Sequence, residues 1–126
     1  MRAVDTNVVV RLLARDDPEQ VAAAEAFIAS GAWVSHLVLL ETVWVLASAY
    51  GRSPAGIAAA VEMLLNHRNL ALQDQDAVAA ALRQYRNRPS VGFSDCLVLE
   101  VARRAGHLPL GTFDRSLSKL DGTEKL

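Results

Sequence analysis

A parallel β-sheet with helices on both faces is the architecture this sequence predicts. Two observations carry the prediction. Short apolar, strand-like runs recur between segments of helical length, and each helical segment brings its own start and stop signals. Strands that alternate with helices pair in parallel, because each crossover helix returns the chain to the same end of the sheet. At 126 residues, 52% of them hydrophobic, the chain is read as one domain spanning residues 1–126. That length buries a core without disulfides or a structural metal.

The elements follow in order. Met1–Asp5 reads as a strand and leads into a short helix through Leu13. Asp17-Pro18-Glu19-Gln20 supplies an N-cap, a first-turn proline and a capping-box glutamine for a helix that stops at Gly31. "AWVS" is a second strand, and Ser35 caps a helix through Tyr50 to Gly51. Ser53 and Pro54 open another helix that runs to about Asn66. "LALQ" is a third strand, Asp74–Tyr85 a helix, and "NRPSVG" a loop. Ser94 is the expected cap of a helix ending at Gly106, and "HLPLGTF" contains a fourth strand. A short helix and the tail "TEKL" finish the sequence. Four to five short strands are therefore expected in one central sheet. Trp33, Trp44 and Phe27 fall on apolar faces and are expected in the core.

Composition excludes several classes. No apolar run reaches the ~18 residues of a membrane span, and the first one is interrupted at Arg11, too early for a signal-peptide core. Cys96 is the only cysteine, so no intrachain disulfide forms, and a reducing, cytoplasmic setting is expected. A net charge of −1 supplies no general attraction for nucleic acid. Eleven of the thirteen basic residues are arginines, whose planar fork suits phosphate, although an Arg-rich composition accounts for them equally well.

Most of the fourteen acids have ordinary explanations. Asp16, Asp17, Asp74 and Asp76 stand at helix starts, while Glu19, Glu25, Glu62 and Glu100 suit solvated helix faces. Glu100 precedes Arg103 and Arg104 by three and four residues, a spacing worth a few tenths of a kcal/mol. Four acids fit less easily. Asp5 ends the first strand between two apolar runs, and Asp114 follows the fourth strand. Glu41 sits inside "LVLLETVWVL", where a largely buried helix is expected, and Asp95 opens the apolar helix "SDCLVLEV". Strand ends and helix starts of this kind face one side of a parallel sheet, where ligands collect. Like charges ~4 Å apart repel by roughly 4 kcal/mol at an effective dielectric of about 20. A divalent cation relieves that repulsion, and an all-oxygen donor set selects Mg²⁺ or Mn²⁺ over Zn²⁺.

These residues resemble the PIN-domain family and, within it, the VapC-type ribonuclease toxins of type II toxin–antitoxin systems. The matching stretches are "VDTNVVVRLL", "SHLVLLETVWVL", "GFSDCLVLEVARRAG" and "LGTFDRSLSKL", which span the chain in family order. The resemblance implies a PIN-like three-layer α/β fold and a Mg²⁺- or Mn²⁺-dependent endoribonuclease that cleaves phosphodiesters with metal-activated water. It also implies a homodimer held inactive by a cognate antitoxin. By position, Asp5, Glu41, Asp95 and Asp114 correspond to the catalytic, metal-binding acids, and Thr6, Asn7 and Thr112 to polar residues that orient them. None of the acids is missing.

Other readings fit less well. A phosphatase of another α/β metal-dependent class needs a second Asp two positions after the first, and that position is Asn7. A non-catalytic PIN module that binds RNA or a partner protein would be expected to have lost an acid. No "GxSxG" elbow or Gly-rich phosphate loop is present, and His36, His67 and His107 lack metal-ligand spacing.

Overall fold

A computed structural model describes residues 1–126. The chain packs as two compact units, Met1–Gln75 and Asp76–Leu126. The first contains β1 (Arg2–Ala3), α1 (Thr6–Ala14), α2 (Pro18–Ile28), β2 (Ala32–Val34), α3 (His36–Ser48), α4 (Pro54–Asn66) and β3 (Leu70–Leu72). Its three strands are parallel in the order β1-β2-β3, with Arg2 opposite Ala32 and Ala32 opposite Leu70.

The expected helix starts are present as hydrogen bonds. The Asp17 carboxylate accepts from the Gln20 amide at 3.1 Å, Ser35 Oγ from Val38 at 3.1 Å, and Ser53 Oγ from Gly56 at 3.2 Å. Each satisfies a donor that the first helical turn otherwise leaves unpaired. Val9, Ile28, Val34, Leu39, Leu46 and Val61 form the centre of this unit and are almost wholly buried. Full burial of each large aliphatic side chain contributes about 1.5–3 kcal/mol over exposure.

Helix α3 departs from the sequence expectation. It buries one stripe, Leu39, Thr42, Val43 and Leu46, and the polar member is satisfied within the helix because Thr42 Oγ1 donates to the Val38 carbonyl at 2.7 Å. The opposite face is apolar yet exposed, with Leu37 at 80% and Trp44 at 68%. An apolar sequence on both sides of a helix cannot reveal which side is covered. Trp33 and Phe27 are also open to solvent rather than core residues. Phe27 lies beneath the Arg2 guanidinium, 3.8 Å from the ring centroid.

The second unit follows α5 (Gln75–Asn87) with a short 3₁₀ turn at Pro89–Val91, then α6 (Phe93–Ala105), β4 (Leu110–Thr112), a second 3₁₀ turn at Leu117–Lys119 and β5 (Thr123–Lys125). The terminal "TEKL" thus supplies a strand, which pairs in parallel with β4, Leu110 opposite Thr123. The five strands form a three-stranded and a two-stranded sheet. Ser94 is not the cap of α6. That helix begins at Phe93, and Gly92 occupies the cap position at φ +90°, a conformation that side chains rarely adopt. The core here gathers Val78, Ala81, Cys96, Leu97 and Leu99, with Tyr85 and Phe93 edge to face at 6.1 Å. No helix is long and apolar enough to cross a membrane.

Candidate active site

The four expected acids divide evenly, Asp5 and Glu41 in the first unit and Asp95 and Asp114 in the second. Asp5 is exposed and lies two residues beyond the edge strand β1, where it caps α1: its Oδ1 accepts from the Val8 amide at 3.2 Å. This corrects the expectation that Asp5 is held between buried segments without a protein partner. The helix N-terminus partners one of its oxygens and favours its negative charge. Thr6 is the buried first residue of α1, and Asn7 next to it is exposed with no side-chain hydrogen bond.

Glu41 lies midway along α3, a helix that packs against α1. It is exposed, which corrects the expectation of a buried carboxylate. The residue falls on the uncovered face with Leu37 and Trp44, so its apolar sequence neighbours do not remove it from water. Its carboxylate engages no protein hydrogen bond or ion pair.

In the second unit, Asp95 occupies the first turn of α6 and is half-buried. Its carboxyl is held above the ordinary carboxylate range, first by desolvation and then by the charge of Asp114. The charge of Asp114 is thus felt at Asp95, and no cation lowers the Asp95 carboxyl. Asp114 is exposed, and its Oδ1 accepts from the Leu117 amide at 2.8 Å, fastening the turn after β4. The Asp114 amide in turn donates to Thr112 Oγ1 at 2.9 Å, so Thr112 orients the backbone that carries the acid.

In neither unit do three His, Cys, Asp or Glu side chains converge as a metal-holding group. The chemistry of the acids nevertheless fits a hard divalent cation. Glu41 and Asp95 have both carboxylate oxygens free, while Asp5 and Asp114 each spend only Oδ1 on a backbone amide. Asp16 and Glu25, by contrast, are paired with arginines, Asp16 with Arg11 at 3.2 Å and Glu25 with Arg15 at 3.5 Å.

The carboxylate that sequence reasoning misplaced is Glu100. It is only 5% exposed, accepts a hydrogen bond from Gln84 Nε2 on α5 and lies 3.4 Å from Arg103 Nε. The predicted spacing to Arg103 is present, but the carboxylate end of the pair is buried while Arg103 stays partly exposed. Arg103 also donates to the Asp121 carbonyl at 2.8 Å, so the network joins α5, α6 and the turn before β5. A flanking pattern of Cys96, Leu97 and Leu99 on the covered face of α6 is the signal that points to it.

No curated protein and no solved structure matches the chain. The sequence model of the PIN domain matches residues 2–123, which takes in both units and all four acids. With that match over nearly its whole length, and with an α/β structure of parallel strands and six helices, the chain belongs to the PIN-domain family, a family generally of metal-dependent nucleases.

Proposed function

We propose that this PIN domain is a Mg²⁺- or Mn²⁺-dependent endoribonuclease and the toxin of a toxin–antitoxin pair, with Asp5, Glu41, Asp95 and Asp114 as its metal-binding acids. The observation that carries this reading is that each of the four keeps at least one carboxylate oxygen free of any protein partner. A divalent ion bound there supplies Lewis-acid chemistry at a phosphodiester and at the water that attacks it. The chain's own part is to hold the oxygens still. The Val8 amide fixes Asp5, the Leu117 amide fixes Asp114, and Thr112 fixes the turn from which Asp114 projects. The Asp95 carboxyl, held up by burial and by the charge of Asp114, would be favoured in its charged form by a cation beside it.

The experiment is thermal unfolding with and without Mn²⁺, together with RNA cleavage. An ion that binds only the folded state stabilises it by mass action, by ~2.7 kcal/mol at one hundred times its dissociation constant, and so raises the melting temperature. An Asp5→Asn, Asp95→Asn double variant should lose both the shift and the cleavage. Equal shifts in the two proteins refute the metal-binding set.

The exposed apolar face of α3, with Leu37 and Trp44, supports a homodimer, since apolar patches of this kind mark interaction sites. A cognate antitoxin would present a cation to the free carboxylates, so reversing the charge of its inhibitory segment should restore cleavage. The buried, unpaired Cys96 is consistent with a reducing cytoplasmic setting.

A further inference from the structure

The first unit contains a cavity of about 370 Å³ between α1 and α2, lined by Asn7, Val8, Arg11, Gln20, Ala24 and Phe27 with Ala23. It is large enough for a small planar ligand. Two of the cavity's lining residues, Asn7 and Val8, lie in the first turn of α1, the turn whose N-cap is Asp5, a proposed metal-binding acid.

Its chemistry is divided. Val8, Ala23, Ala24 and the Phe27 ring give it apolar walls, and the ring is held in place by Arg2, which stacks on it and donates to the Phe27 carbonyl at 2.8 Å. The polar groups are arranged differently. Arg11 is committed on one side: its Nη1 donates to Asp16 at 3.2 Å and to the Tyr50 hydroxyl at 3.1 Å, and its Nε donates to Gln20 Oε1. It is therefore a brace whose charge Asp16 already answers. Because Gln20 Oε1 is committed to Arg11, the Gln20 amide nitrogen is the end left for a ligand. Asn7 leaves both ends of its amide unengaged.

We infer that this cavity is a nucleobase subsite, which seats an unstacked base of single-stranded RNA next to the phosphate that is cut. A base offers apolar faces to Phe27 and Val8 and an edge of in-plane donors and acceptors to Gln20 and Asn7. A base brings the apolar face and the donor–acceptor edge in one rigid plane, whereas a lone apolar or aromatic side chain fills the walls and leaves those exposed amide ends to water or to its own backbone. The inference rests on the ribonuclease reading for its substrate, while the cavity and its free amides do not depend on it.

The test separates the two. The wild-type protein is titrated with millimolar AMP, GMP, CMP and UMP, and with ribose 5-phosphate as a control, while the Asn7 and Gln20 side-chain amides and the Ala23 methyl are followed by NMR. At least one nucleotide should shift all three signals in a saturable way, and the sugar phosphate should shift none. Ala23→Phe, at an exposed position, fills the cavity and should abolish the shifts; Gln20→Ala serves if that variant does not fold. In cleavage of a randomised RNA pool, Gln20→Ala should lower base discrimination at one position beside the cut by about tenfold. Nucleotide shifts without any RNA cleavage support the subsite and refute the ribonuclease reading. Cleavage with unmoved signals, or with wild-type base preference in both variants, overturns the subsite alone. Shifts produced by a tryptophan-bearing peptide and by no nucleotide make the cavity a protein-docking pocket and also overturn it.

Discussion

Removing the Glu100 carboxylate should destabilise the fold far more than its place in the sequence suggests. The side chain is 5% exposed, holds the Gln84 amide and pairs with Arg103 at 3.4 Å. Glu100→Gln keeps the shape and a carbonyl acceptor for Gln84 but loses the charge. Arg103 is partly exposed, with 36% of its side chain accessible, so water offsets much of that loss and the cost is about 1 kcal/mol. Glu100→Ala removes both partners. It leaves the Gln84 amide with neither end satisfied, since Gln84 Oε1 is already unpartnered, and adds a cavity, for a total of about 3 kcal/mol. For a chain of this length 1 kcal/mol corresponds to roughly 4 °C, so the two midpoints should fall by about 4 °C and about 12 °C. Thermal unfolding by circular dichroism reads both, with Glu41→Gln as an exposed control expected within about 0.5 kcal/mol of wild type. A Glu100→Ala midpoint within about 2 °C of wild type refutes the buried network as a stabilising feature.

Three further outcomes follow from named contacts. Glu41→Gln should remove metal-dependent RNA cleavage while leaving the circular dichroism spectrum intact; a folded variant that cleaves normally takes Glu41 out of the metal-binding set. Asp16 is held below the ordinary carboxylate range, first by its hydrogen bond from Tyr50, so its contribution is present above the unfolded value and lost as pH falls through the folded one. Tyr50→Phe should therefore lower the melting temperature at neutral pH, by a margin that narrows below about pH 4; a constant margin removes Asp16 from the explanation. Burial, followed by the charges of Asp95 and Glu100, pushes the Cys96 thiol up to about 11, so a thiol reagent should label it only after denaturant is added. Rapid labelling of the native protein would refute that burial.

The fold was legible wherever a local signal had a local cause. Asp17, Ser35 and Ser53 cap their helices as the sequence indicates, because a cap and the amide it binds lie three residues apart. The cap of α6 was less legible, since Gly92 works through its backbone angle and competes with the more familiar Ser94. The strand at Thr123–Lys125 was missed for a different reason. Its residues are polar, and it exists through pairing with Leu110–Thr112, a contact that no short window of sequence contains.

The acids show where sequence reasoning fails on the site. Glu41 and Glu100 both sit in apolar helices, and their neighbours alone rank Glu41 as the buried one. The structure reverses the order because burial belongs to a helix face, not to a stretch of chain. The covered stripe of α3 runs through Leu39, Thr42, Val43 and Leu46 and passes Glu41 by, whereas the covered stripe of α6 includes Glu100 with Cys96, Leu97 and Leu99. The reversal leaves Glu41 available to the proposed metal. A carboxylate meant for a metal must be open to the ion and free of protein partners, and Glu41 is both. Glu100 is neither, because Gln84 and Arg103 already answer its charge. Partner geometry therefore identifies Glu100 as a structural acid and leaves Glu41 free for the proposed metal, an order that apolar sequence surroundings alone reverse.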